Sequence, residues 1–150
     1  MNAFDYSFTV QAPLSNVAEF HRDARALKKL TPPPMIARMH LVEPLAEGSR
    51  ARFTLWLGPI PIHWLAVHSR VDGLHGFTDT QVSGPMQFWQ HTHQFTALDE
   101  KTTKVSEHIE YEHKTGLAGL FTRILFSQVG LRFLFAYRAF VTRKMCAKAV

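Results

Sequence analysis

Apolar and polar side chains alternate along most of this chain, and the period changes to a helical one only near its two ends. Phe4, Tyr6, Phe8 and Val10 alternate with Asp5, Ser7, Thr9 and Gln11, which predicts a strand buried on one face. Pro13 suits a helix start, and Val17, Phe20 and Leu27 supply apolar positions for two short helices hinged near His21-Arg22-Asp23. Thr31-Pro32-Pro33-Pro34 ends the second helix, because proline lacks the donor a helix interior needs. Strand patterns follow at Met35–Val42, Ala51–Leu57, His63–Val71 and Gly76–Val82. Glu47-Gly48-Ser49, Gly58-Pro59-Ile60-Pro61 and Asp72-Gly73 mark the turns between them. Ala51, Phe53, Leu55 and Leu57 share one face of their strand, opposite Arg50, Arg52 and Thr54. For 63–71 and 76–82 the alternation does not decide which face is buried.

After the turn Ser83-Gly84-Pro85 come two strands, Met86–Phe95 and Lys104–Tyr111. Side chains alternate between faces, so Trp89, His91, His93 and Phe95 share one face while Gln90, Thr92 and Gln94 take the other. In the second strand Val105, Glu107, Ile109 and Tyr111 point inward, and Lys104, Ser106, His108 and Glu110 outward. An apolar face thus carries two imidazoles and a carboxylate, and an unsatisfied buried polar group costs ~1–3 kcal/mol. A cavity holding water or a ligand accounts for that mixture.

A three-residue connection, Asp99-Glu100-Lys101, sets Leu98 opposite Thr102. Phe95 then faces Val105, His93 faces Glu107, His91 faces Ile109 and Trp89 faces Tyr111. A one-residue slip would oppose the wrong faces, whereas a slip of two keeps them. His93 and Glu107 read first as a structural hydrogen-bonded pair, second as ligand contacts, and third as catalytic or metal-binding groups.

From Leu117 to Ala147 there is no proline and no alternation, while Leu120, Ile124, Leu131, Leu134, Phe135 and Val141 recur near helical spacings. One helix of about 30 residues, ~45 Å long, is expected, with Gly130 as a weak point. The order is strand, two short helices, six strands and a long helix, in one domain spanning 1–150.

This order resembles the START-like helix-grip (SRPBCC) superfamily, over nearly the whole chain. Three segments carry the resemblance: Phe4-x-Tyr6-x-Phe8-x-Val10-x-Ala12-Pro13; Phe77-x-Asp79-x-Gln81-x-x-Gly84-Pro85-x-x-x-Trp89-x-His91-x-His93-x-Phe95; and Glu107-x-Ile109-x-Tyr111 with Gly116. The middle segment is similar to the bacterial polyketide cyclase/dehydrase-like branch, whose members commonly have aspartate where Glu107 stands. The resemblance implies an α+β fold in which a curved seven-stranded antiparallel sheet wraps a long C-terminal helix around an apolar cavity.

Such a cavity implies binding or carriage of a small hydrophobic or aromatic molecule, lipid, quinone or polyketide-like. Phe53, Leu55, Trp89, Phe95, Ile109 and Tyr111 would form the wall, Leu134, Tyr137 and Phe140 would close it from the helix, and His91, His93 and Glu107 would orient the ligand. The alternative is an acid–base cyclase or dehydratase using His91, His93 and Glu107, with Tyr111 or Tyr137 positioning an oxygen. Arg52 and Arg138 read as solvated.

Composition narrows the field. Hydrophobic content of 46% with 19% charged residues indicates a globular chain, and no apolar run reaches the ~20 residues of a membrane span. The start has no signal-peptide pattern, and the single Cys146 excludes an internal disulfide or a cysteine zinc cluster. A reducing, cytoplasmic setting is expected. The net charge of +5 gathers modestly at Arg138, Arg143, Lys144 and Lys148. No nucleic-acid motif accompanies it, so the expected partner beyond the ligand is weak contact with an anionic membrane rather than specific nucleic acid. No cofactor is expected. His91-x-His93 with Glu107 could ligate a metal, but Phe95-Thr96-Ala97-Leu98 offers no further acid, and no metal is expected. There is no phosphate-binding glycine loop and no nucleophile elbow.

Overall fold

The structure, a computed structural model, describes residues 1–148, without the side chain of Lys148. Lys148 therefore lies outside the described part of the C-terminal basic group. Strand β1 (Asn2–Val10) is followed by helix α1 (Leu14–Arg22), a 3-10 turn (Ala24–Ala26) and helix α2 (Leu27–Leu30). Six strands come next: β2 (Met35–Val42), β3 (Arg50–Leu57), β4 (Ile60–Asp72), β5 (Gly76–Ser83), β6 (Phe88–Asp99) and β7 (Thr102–Glu112). Helices α3 (Gly116–Leu125) and α4 (Gln128–Lys148) complete the chain.

All strand pairs are antiparallel, in the order β1-β7-β6-β5-β4-β3-β2, which makes one curved seven-stranded sheet. The first strand crosses to pair with the last, so β1 and β2 form opposite edges. Phe4, Phe8 and Val10 are buried, as the alternation of β1 requires. Leu131, Phe135, Ala139, Thr142 and Cys146 form the buried stripe of α4, three or four residues apart. Phe135 is fully buried against Phe4 and Tyr6, and burial of such a side chain contributes ~1.5–3 kcal/mol.

Three local expectations need correction. The turn before β4 is only Gly58-Pro59, because Leu57 pairs directly with Ile60. The β6–β7 connection is also tighter: Asp99 pairs with Thr102, and Leu98 bulges out of register and stays exposed. The tail is two helices bent by 47°, with the break at Phe126-Ser127. Phe126 drops into the core against Trp64 and Trp89, while Ser127 Oγ accepts the Gly130 N–H at 3.0 Å and caps the new helix. On the outer side Leu120 and Ile124 are exposed instead of packed.

No single helix is long and apolar enough to cross a membrane; α3 and α4 pass that test only as a bent pair, by length and composition.

Candidate functional site

The β6–β7 register is the one the alternation predicts: His93 lies opposite Glu107, His91 opposite Ile109, Trp89 opposite Tyr111 and Phe95 opposite Val105. On the other side of β6, Phe77 of β5 pairs with His93 and Asp79 with His91. A central strand carrying two inward histidines is therefore flanked by a strand with one inward acid on each side. Gly76 makes this approach possible. Its φ is +132°, and a Cβ there would lie 1.9 Å from the His93 carbonyl oxygen.

Each imidazole spans the two carboxylates. His91 Nε2–H donates to Glu107 Oε2 at 2.7 Å, and its Nδ1 lies 3.8 Å from Asp79 Oδ2. His93 Nε2–H donates to Asp79 Oδ2 at 2.8 Å. His93 Nδ1 lies 2.9 Å from Glu107 Oε2 but outside hydrogen-bond geometry, so it has no hydrogen-bond partner among the described residues. The two rings stack with centroids 3.8 Å apart.

Burial depresses the pKa of His93, but the Glu107 charge and the Asp79 hydrogen bond outweigh it and push the value up to about 9. His91 moves the other way, lowered by burial and then by the charge of His93. Burial works against ionised Glu107 and Asp79 as well. The charge of His93 nevertheless holds Glu107 well below the usual carboxylate range, and the His93 hydrogen bond lowers Asp79. The cluster at neutral pH is thus one imidazolium, His93, between two carboxylates, with His91 neutral.

Beside it a cavity of about 440 Å³ lies between the sheet and the helices. That volume is within the usual range for small-molecule sites, ~300–1,000 Å³. Phe53, Leu55, Trp89, His91, His93 and Leu134 are on its wall, as is Asp79. Exposed Pro33, Pro34, Ile124 and Phe133 border it toward solvent.

The other sequence-derived candidates are elsewhere. Glu107 is buried behind the two histidines and does not reach the wall. Ile109 and Tyr111 belong to the packed core near Phe126, and Phe95 packs in a second cluster with Phe8, Val17 and Val105. Tyr137 is half-buried away from the cavity, and Phe140 is 62% exposed. The reason is helical phase. Gly130, Leu134 and Arg138 recur every fourth residue and turn one stripe of α4 to the cavity, which residues 137 and 140 miss.

Arg138, expected in solvent, lies on the cavity wall instead. Its Nε donates to the Leu30 carbonyl at 3.3 Å, its guanidinium lies 5.1 Å from the Phe135 ring centroid, and burial lowers its pKa. Arg52 is exposed, as expected. Sequence reasoning missed Asp79, although the spacing Phe77-x-Asp79 matches His91-x-His93 on the adjoining strand. It also missed His21 of α1, whose ring sits 4.8 Å from that of Phe95 and 6.2 Å from that of His93. His21 donates to the Val17 carbonyl at 2.8 Å, and burial brings its pKa down to about 4.

No protein-family profile and no curated protein matches the sequence. Solved structures do match the fold. The ZhuI aromatase/cyclase from Streptomyces sp. R1128 superposes with a TM-score of 0.78 at 13% identity, covering 98% of this chain and 94% of that one. A point mutant of norcoclaurine synthase from Thalictrum flavum, solved with a transition-state analogue, gives 0.73 at 15% identity, covering 99% and 95%. A protein of Thermus thermophilus gives 0.70 at 17% identity, covering 99% and 100%. With its seven-stranded sheet closed over α4, the chain has the START-like helix-grip fold.

Proposed function

We propose that the protein binds and carries a small apolar or aromatic molecule, held by Phe53, Leu55, Trp89 and Leu134 and oriented by the polar groups at one end of the cavity. The single observation behind this reading is a cavity of about 440 Å³ whose wall is apolar except for the His91–His93–Asp79 cluster and a few polar neighbours such as Arg138. Native mass spectrometry of the purified protein, followed by organic extraction, tests it. A bound aromatic or lipid-like molecule is expected at one per chain. Ala66→Leu, which fills part of the wall, should weaken its uptake while the thermal unfolding midpoint is kept. Absence of any bound molecule, together with failure of every apolar probe to bind, would overturn the reading.

A second reading is acid–base cyclisation or dehydration of a polyketide-like ligand, favoured by two imidazoles side by side on the wall. Turnover abolished by His93→Gln with binding retained would establish it; binding without turnover of any candidate leaves the carrier.

We also place weak contact with an anionic membrane at the outer faces of α3 and α4. Leu117, Leu120 and Ile124 on α3, and Val129 and Phe133 on α4, are more than half exposed, with Arg123 and Arg132 exposed among them. Ile124 and Phe133 also border the cavity, so a lipid-like ligand could pass from a bilayer directly into it. Sedimentation with phosphatidylglycerol vesicles should exceed that with phosphatidylcholine vesicles and fall with added salt. Ile124→Glu should reduce it. A reducing cytoplasm suits the lone thiol.

A further inference from the structure

We propose that Asp79, His91 and His93 form a binding site for one divalent transition-metal ion of the zinc type, at the inner end of the cavity. The inference goes beyond the carrier reading and stands or falls independently of any apolar ligand. One ligating atom from each of the three residues lies within 4.8 Å of the others. The two nitrogens turned toward Asp79 are His91 Nδ1 and His93 Nε2, at 3.8 and 2.8 Å from Oδ2. Ligation would draw these atoms around an ion at ~2.0–2.2 Å.

The other nitrogen of each ring is turned to one oxygen, Glu107 Oε2, at 2.7 and 2.9 Å. Glu107 accepts from the outer N–H of His91 and faces the outer nitrogen of His93, which fixes ring orientation. Transfer of the His93 Nε2 proton to solvent would free the lone pair on the Asp79 side for an ion. The sidedness follows from burial. Asp79, His91 and His93 all reach the cavity wall, whereas Glu107 does not. An ion on the Asp79 side would have three protein ligands and a coordination position open toward the cavity. A divalent charge also balances the two carboxylates that the fold buries together. Two imidazoles and one carboxylate favour a borderline ion over magnesium or calcium. The sequence expectation of no metal sought a further acid downstream on β6; β5 supplies it instead.

The experiment titrates EDTA-treated protein with Zn²⁺, with Co²⁺ as a spectroscopic probe and Mg²⁺ as control. One Zn²⁺ per chain is expected, displacing Co²⁺ whose visible absorption reports a four- or five-coordinate site, and Mg²⁺ should not compete. Asp79→Asn and His91→Gln should abolish this binding, and Glu107→Gln should weaken it by about 10–100-fold. His108→Gln, at an exposed histidine paired with Asp5, should leave it unchanged. Circular dichroism and thermal unfolding establish that each variant is folded; if one is not, the cobalt spectrum of the parent protein decides. The proposal is overturned by absence of one-to-one binding in the parent, by an octahedral cobalt spectrum, by binding that survives in folded Asp79→Asn, or by its loss in His108→Gln.

Discussion

Glu107 is buried, and its charge is offset by the two imidazoles that face it. Replacing it by glutamine keeps the shape but removes the charge that His93 balances. Glu107→Gln should therefore cost about 1–3 kcal/mol in urea-induced unfolding. The double variant His93→Gln/Glu107→Gln should recover part of the summed loss, giving a coupling energy of at least about 0.5 kcal/mol. Strict additivity would show that the two side chains do not act as a pair. His93 and Glu107 were legible in sequence because hairpin geometry and a period of two leave little freedom of facing. Asp79 was not, because Phe77 and Thr78 are both buried and β5 gives no clean alternation. The connection from Ser83 to Phe88 also says nothing about which residue of β5 meets which of β6.

At the scale of elements, the central sheet depends on close approach between β5 and β6, and Gly76 permits it. Gly76→Ala puts a methyl group into the His93 carbonyl and forces a side chain onto an unfavourable φ. A loss of at least about 1–3 kcal/mol is expected, read from thermal or urea unfolding. An unchanged midpoint would mean that the strands can separate there without cost. The α3–α4 break makes a second prediction. Ser127 caps α4 through Gly130 N–H, so Ser127→Ala should cost about 0.5–2 kcal/mol, whereas Ser127→Asp should retain most of the stability. The strand series was readable from alternation and turn residues, but this break was not. Apolar positions at helical spacings run through Phe126 without interruption, and only tertiary packing against Trp64 and Trp89 shows that its side chain must leave the helical line. The misplacement of Tyr137 and Phe140 has the same origin, since a helix's rotation about its own axis is fixed by its partners.

For the molecule as a whole, the C-terminal part of α4 is tied to β1 through Arg143. Arg143 Nε donates to the Thr9 carbonyl at 2.9 Å, and its guanidinium lies over the Phe8 ring. Cys146 is 1% exposed, and burial pushes its thiol up to about 11 from an ordinary value of 9.0. The native thiol should resist iodoacetamide at pH 8 and react only after unfolding, as measured by intact mass. The raised value means that the folded state favours the protonated thiol. Its contribution to stability is complete below about pH 9 and is lost as the pH rises toward about 11. Rapid alkylation of native protein would show that the last turns of α4 open readily.

The position of β1 at a sheet edge, beside β7, also governs when the fold can close. Asn2 leaves the ribosome well before its partner, Tyr111, which emerges at the end of β7 and after the five intervening strands. Until then β1 has no hydrogen-bonding neighbour, and Phe4, Tyr6, Phe8 and Val10 have no sheet to cover. Pairing over so long a stretch of chain belongs to the slow regime of folding. A nascent chain stalled before β7 therefore presents an apolar strand with free backbone groups, open to pairing with the same strand of another stalled chain.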